Sequence, residues 1–160
     1  MKKHSFSIDV TWTGNEGKGT KDYTSYSRLH EITGEGKYAK VSGSSAPAFL
    51  GDASRYNPEE LFISSLASCH MLWYLHLCAD QGIVVTEYKD HAEGVMQVDS
   101  DGGGRFTEVT LHPEVTIATE SKIEEANKLH EEAHKKCFIA NSCNFKVLHK
   151  PITIVEEQPL

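Results

Sequence analysis

The 160-residue sequence is poor in cysteine, poorer still in arginine, and carries no apolar leader. Its four cysteines (Cys69, Cys78, Cys137 and Cys143) are too few for a disulfide scaffold. A chain of this length buries roughly two thirds of its unfolded surface without staples. The start, Met1-Lys2-Lys3-His4-Ser5, is not followed by an apolar stretch of signal-peptide type, so a cytoplasmic protein with reduced thiols is expected. Positive charge is also short. Against 23 Asp and Glu there are 16 Lys and Arg, and the net charge of −7 excludes nucleic acid and anionic membrane surfaces as non-specific partners. Ser, His and Tyr interrupt the longest apolar runs, so no membrane span is expected. Repeats, linkers and low-complexity tracts are missing too, and residues 1–160 are expected to form a single α+β domain.

What is present begins with a period-two pattern. Phe6-Ser7-Ile8-Asp9-Val10-Thr11-Trp12 alternates apolar and polar residues as a half-buried strand does. Glycines at 14, 17 and 19 then mark a turn, and weaker strand character follows over Tyr23–Ile32 and Tyr38–Val41. Residues 42–56 read as a loop that delivers the chain to a well-specified helix start: Asn57 as N-cap, Pro58 at the first helical position and Glu60 at the capping-box position. The helix, about 58–81, is apolar on nearly every side and ends at Gln81-Gly82. A helix without a polar stripe is a buried one, and one chain of this size hardly covers it, which points to a second subunit. Ile83–Val85, His91–Val98, Arg105–Val109 and Glu114–Ala118 are expected strands. Asp99-Ser100-Asp101-Gly102-Gly103-Gly104 is a hairpin turn, not a phosphate cradle, because no helix start follows it. Ser121-Lys122-Ile123-Glu124 is the pattern of a second capping box, and the face Ile123, Ala126, Leu129/His130, Ala133, Cys137 follows the helical period. Asn144–Val155 supplies a terminal strand.

The two cysteines on helical patterns carry the chemistry. Cys69 has Ser65, Leu66, Leu72 and Trp73 at its i±3 and i±4 positions, so a substrate there meets hydrocarbon and an indole. An alkyl or lipid hydroperoxide suits such a pocket. A plain core filler, the commonest fate of a free cysteine, suits the same composition. Thiolate chemistry needs a nearby cation, because an ordinary thiol is mostly protonated at neutral pH. Arginine occurs only at 28, 55 and 105, and Arg28, in a strand-like segment, is the favoured candidate beside the alternative of a surface residue. Glu59 would orient that arginine, or would simply complement the helix dipole. Ten residues of helix separate Glu59 from Cys69 by about 15 Å along the axis, so for both to serve one site the chain must bend sharply or the Glu59–Arg28 pair must come from a partner subunit. Cys137 lies near a helix C-terminus, where the dipole disfavours a thiolate, which suits a resolving thiol; Cys143 is a weaker alternative, and Cys78 faces away from Cys69.

A competing motif, His130-Glu131-Glu132-Ala133-His134, has the H-E-x-x-H form of a zinc protease. It arises readily in a helix this rich in Glu, Lys and His. The third ligand would have to be His149 or Glu156, neither at a supporting spacing, and the nine histidines look scattered. Neither Cys69-His70 nor His76/Cys78 has structural-zinc spacing, so no metal and no cofactor are expected.

At Asn57-Pro58-Glu59-Glu60-Leu61-Phe62 and Ala67-Ser68-Cys69-His70 the sequence resembles the OsmC/Ohr family of osmotically inducible and organic hydroperoxide resistance proteins, and similarity extends from Trp12-Thr13-Gly14 to the C-terminal strand. The resemblance implies an intertwined homodimer with two central helices, antiparallel sheets and two interfacial sites. It implies a thiol-dependent peroxidase for organic hydroperoxides, with Cys69 peroxidatic, Cys137 resolving through a Cys69–Cys137 disulfide, and Arg28 and Glu59 assisting. A dithiol reductant of the lipoyl type is the implied electron donor. Cys137 is followed by Phe138-Ile139-Ala140 where the family commonly has C-P-x-S, and the glycine-arginine hairpin of the Ohr branch is missing, which places the chain nearer a general OsmC-like branch. The alternative function is a non-enzymatic, stress-related binding module for a small hydrophobic ligand.

Overall fold

The computed structural model describes residues 2–156; Met1 and residues 157–160 of the expected 1–160 domain lie outside them. The described chain forms two compact units, one ending at Leu61 and the other beginning at Phe62. In the first, β1 (Asp9–Trp12), β2 (His30–Thr33) and β3 (Val41–Gly43) form an antiparallel sheet in the order β1-β2-β3. The alternating pattern of β1 does not mark a half-buried strand here: all four residues are exposed. The expected strand from Tyr23 starts only at His30. Ahead of it, Asp22 accepts the Thr24 N–H through Oδ1, and the Arg28 guanidinium donates to the carbonyls of Tyr23 and Tyr26. Such side-chain bonds to backbone compete with a ladder and leave this stretch irregular.

The capping box of α1 (Pro58–Asp80) forms as its residues dictate. Asn57 Oδ1 accepts the Glu60 N–H at 2.8 Å, and Glu60 Oε2 accepts the Asn57 N–H at 3.1 Å. The second expected box does not form. Glu120–Lys122 make a 3-10 turn whose backbone bonds to Thr119 and Glu120 take up the entry to α2 (Ile123–Lys136), so Ser121 lies inside the turn and Lys122 stands at the cap without a side-chain bond.

In the second unit β4 (Val85–Asp90), β5 (Glu93–Val98), β6 (Gly104–Leu111), β7 (Pro113–Ile117), β8 (Lys146–His149) and β9 (Ile152–Val155) make two three-stranded sheets, β4-β7-β9 and β5-β6-β8. Each pair of segments that crosses between the sheets bends at the same level. The chain turns at His91-Ala92, at His112 and at Lys150-Pro151, with Asp90 accepting the His112 N–H at 2.7 Å and Leu111 O accepting the Lys150 N–H at 2.9 Å. Pro151 has no N–H for a ladder, so the single terminal strand expected from Asn144 to Val155 is two. β4–β7 and β5–β6 are antiparallel as expected, but β8 and β9 run parallel to β6 and β7. They return after α2, and a crossover through a helix restores the strand direction. The glycine run closes the β5–β6 hairpin, with Gly102 at a φ of 87°. Gly94 on β5 admits α1: a Cβ there would stand 2.7 Å from Ile63 Cδ1 and 2.8 Å from a Phe106 ring carbon.

A single chain covers only part of α1, the outcome expected for a helix this apolar in a chain of this size. One face is buried, Leu66, His70, Tyr74 and Cys78 at intervals of four, while Leu72 on the other side is 62% exposed. By length and composition alone α1 would also suit a membrane span, contrary to the interrupted runs noted above. Its buried face nevertheless belongs to the protein core: Leu66 packs with Val109, Leu111 and Val147, and Tyr74 and Cys78 pack with Val115, Ile117, Ala126, Leu129 and Ala133. Between these two clusters sit histidines that looked scattered in sequence. His70 bonds His130 across 3.0 Å, His149 from β8 stacks on His70 with ring centres 5.5 Å apart, His134 lies 5.5 Å from His149, and Tyr74 stacks on His130 at 3.9 Å.

Burial, aided by the neighbouring His149 and His134, holds His70 down at about 4; burial, with His70 and His149 beside it, holds His130 at about 3. An unfolded histidine titrates near 6.5, so as pH falls below that value the unfolded chain takes up protons that the folded one refuses. Stability therefore falls with falling pH, by about 2 kcal/mol per buried imidazole at pH 5. Burial raises the Asp90 carboxyl, which works the opposite way over the same range and offsets part of the loss. The urea midpoint should be clearly lower at pH 5 than at pH 7.5, and equal midpoints would mean that these rings are not held neutral. Leu66 is fully buried, and Leu66→Ala should cost about 3 kcal/mol in the same urea titration at pH 7.5.

Candidate active site

Cys69 lies halfway along α1, at the edge of its buried face and half-exposed. Cys137 caps the C-terminus of α2, its N–H donating to His134 O, and is 1% exposed. Sixty-eight residues apart in sequence, the two thiols come close enough for Cys69 to bear on the protonation of Cys137. Ala140 N–H also points at the Cys137 sulfur, 3.4 Å away. Burial pushes the Cys137 thiol well up, the Cys69 thiol adds to the rise, and the backbone N–H groups of Ala140 and Ile139 oppose it. Cys137 is thus kept protonated at neutral pH chiefly by burial, and not by the helix dipole that the sequence suggested.

Cys69 opens into a pocket of about 380 Å³ lined by Ser65, Ser68, Leu72, Trp73, Phe138 and Ile139. Of the neighbours expected from helical spacing, Ser65, Leu72 and Trp73 are present, whereas Leu66 turns into the core. Both serine hydroxyls are spent on carbonyls of their own helix, Ser65 on Phe62 and Ser68 on Ser64, so they present little free polarity. The opposite wall, Phe138 and Ile139, was not among the expected site residues; its position directly after Cys137 was the available signal. Phe138 meets Trp73 edge-on at 5.6 Å, and the Lys136 ammonium sits 5.5 Å from the Trp73 ring centre. The arrangement can hold an apolar group against a half-exposed thiol that has a second thiol within reach.

The remaining predicted residues are not gathered with these. Arg28, in the first unit, is sandwiched by the rings of Tyr23 and Tyr26, each 4.3 Å from its guanidinium carbon. Among the described residues no carboxylate is within ion-pair distance of it, so the expected Arg28–Glu59 pair does not form within one chain. Glu59 is half-buried in the first turn of α1. Cys78 is buried in the core beside Tyr74. Cys143 donates to Ile139 O at 3.2 Å, and burial raises its thiol too.

The H-E-x-x-H segment makes no metal centre. His130 and His134 do approach His149, which sequence spacing did not foresee, but the rings stack instead of converging. Glu131 turns to His149 Nε2 at 3.4 Å and to Lys135 at 3.9 Å. Among the described residues no group of three or more His, Cys, Asp or Glu is arranged to hold a metal ion.

Comparison with known proteins accords with this architecture. A family model described as OsmC-like protein matches residues 51–150. An OsmC-like protein of unknown function from Vibrio cholerae is 35% identical and superposes with a TM-score of 0.82, covering 95% of this chain and 100% of its own. An organic hydroperoxide resistance protein from Elizabethkingia anophelis, 23% identical, has a TM-score of 0.66 over 98% of this chain and 100% of its own. One from Legionella pneumophila, 20% identical, has a TM-score of 0.66 over 94% and 98%. No curated protein matches. With a model spanning the helix that bears Cys69 and the turn that bears Cys137, and a solved relative matching over nearly its whole length, the chain belongs to the OsmC-like protein family.

Proposed function

We propose that the protein acts in peroxide resistance, as a thiol-dependent peroxidase that reduces organic hydroperoxides to alcohols. The observation that carries this is a Cys69 thiol opening into an apolar, aromatic pocket with the buried Cys137 thiol close behind it. Two structurally similar proteins are named for organic hydroperoxide resistance, which supports the substrate class.

In the first step the Cys69 sulfur attacks the terminal oxygen of ROOH. An S–O bond forms, the O–O bond breaks, and the alkoxide leaves as ROH after taking a proton; Cys69 is left as the sulfenic acid. The R group lies against Leu72, Trp73, Phe138 and Ile139. In the second step the Cys137 sulfur attacks Cys69–SOH, the S–S bond forms, and water leaves with the hydroxyl and the thiol proton. A dithiol of the lipoyl type then reduces the disulfide by two successive exchanges. The working form is a homodimer, in which the second copy covers the exposed side of α1 and brings Arg28 and Glu59 to the sulfur. Free cysteines throughout the chain suit a reducing cytoplasm.

One equivalent of cumene hydroperoxide, followed by mass spectrometry, tests the chemistry. A loss of two protons with a Cys69–Cys137 crosslink is expected. Unchanged thiols would leave a binding pocket for a small hydrophobic ligand in place of an enzyme. Cys69→Ser should abolish turnover, and Cys137→Ser should support one reduction per chain and then overoxidise. Because burial raises the Cys137 thiol, its reactive thiolate grows with pH, and disulfide closure should quicken up to about tenfold per pH unit from pH 6 to pH 8 in stopped-flow traces. A closure rate independent of pH would assign the raised thiol no part in that step.

A further inference from the structure

The residue after Cys69 is a buried histidine with a buried histidine for a partner. His70 on α1 is 1% exposed and His130 on α2 is 0% exposed, and His70 Nε2 lies 3.0 Å from His130 Nδ1. Such a contact needs one nitrogen as donor and the other as acceptor, so the accepting ring must be neutral, and burial holds both rings neutral at physiological pH. The other two nitrogens, His70 Nδ1 and His130 Nε2, have no hydrogen-bond partner among the described residues. The shared bond is therefore the one hydrogen bond that either ring makes among the described residues, and breaking it would leave a further buried nitrogen unsatisfied on each.

Its place along the two helices gives it a role. His70 directly follows Cys69, and His130 precedes Cys137 by seven residues, two turns of α2 on the same face. A slip of either helix by one turn, about 5.4 Å, would break the imidazole bond and part the thiols together. The geometry points to His70 and His130 as positioning residues for the second step of the proposed reaction: their hydrogen bond sets the register of α1 against α2 at which Cys69 meets Cys137. The assignment rests on the dithiol function proposed above for the reaction it serves, but not for the geometry itself.

The surroundings lock both rings. Tyr74 stacks on His130, His149 from β8 stacks on His70, and Tyr88 from β4 stands behind Tyr74. The titratable groups next to the pair are His134 of α2, His149 of β8 and Tyr74 of α1; beyond them Glu131 binds His149 and Lys135, and Cys78 and Tyr88 stand against Tyr74. Protonation of the accepting imidazole makes both of its nitrogens donors and breaks the bond, and protonation of both rings sets two cations against each other.

Two substitutions separate the hydrogen bond from the packing. In His130→Asn the amide oxygen occupies the position of Nδ1 and keeps a partner for His70, while the stack on Tyr74 is lost. In His130→Phe the stack is kept and the partner is lost. Quenched-flow mass spectrometry with dimedone trapping reads sulfenic acid formation and disulfide closure as separate rates after one equivalent of cumene hydroperoxide. In His130→Phe, sulfenic acid formation should stay close to wild type while closure slows about tenfold, the size expected when one buried partner is left unpaired. His130→Asn should close nearly as fast as the wild type. The reverse order, with Phe fast and Asn slow, would make the ring a packing element only and overturn the assignment, as would equal closure rates in all three proteins.

Diamide supplies an arm that needs no peroxidase activity, since this azo oxidant takes the two thiol hydrogens as it closes the disulfide and becomes the hydrazine. If the wild type ignores hydroperoxide yet diamide closure follows the order wild type, Asn, Phe, the peroxidase function falls and the positioning role stands. If His130→Phe does not fold, the wild type alone decides by nitrogen-15 NMR of the imidazoles. A scalar coupling between His70 Nε2 and His130 Nδ1 is expected at pH 7.5, where diamide closure is fast, and fast closure without that coupling would overturn the assignment.

Discussion

The approach of two thiols at the meeting of a long helix and the end of a short one depends on a single packed seam. Along it α1 presents Leu66, His70, Tyr74 and Cys78, one residue per turn, and α2 answers with Ala126, Leu129, His130 and Ala133. Large side chains of α1 reach α2, where two of the four positions are alanine, and the aromatic and imidazole rings fill the space between the two aliphatic clusters. Cys69 lies just off this seam and Cys137 just past its end, so each sulfur is located mainly by the packing of its neighbours, with the Ala140 N–H directed at the Cys137 sulfur. That arrangement leaves one thiol open to a pocket and the other buried, an asymmetry suited to a nucleophile and its resolving partner.

Polarity in the seam is unusual for its depth. Four histidines gather where aliphatic side chains would pack without penalty. Buried neutral imidazoles add little net stability over hydrocarbon, but they add direction, because a nitrogen-to-nitrogen bond forms at one register and not at its neighbours. The same rings make the fold sensitive to acid.

Much of the architecture was legible from local chemistry. Asn57, Pro58 and Glu60 specified the start of α1 through bonds a few residues apart, and the glycine run between Val98 and Arg105 specified a hairpin. Where local signals competed, reading by pattern was less secure. Ser121 had the spacing of a cap, yet a preceding 3-10 turn held the entry; Phe6–Trp12 had the alternation of a half-buried strand, yet its strand is exposed. The terminal segment read as one strand because alternation does not register a bend, although Pro151 was visible.

The candidate site divides along the same line. From the residues alone came the apolar setting of Cys69, since helical spacing fixes which side chains flank it, and the family pattern Asn57-Pro58-Glu59-Glu60 with Cys69. The resemblance implied the pairing of Cys69 with Cys137, but the tertiary structure alone decided that Phe138 and Ile139 close the pocket and that His149 joins His70 and His130 instead of completing a zinc site. The physical reason is range: hydrogen-bonded turns and helical faces are set within a few residues, whereas the meeting of groups 60 to 80 residues apart depends on how two helices and a bent sheet share one core.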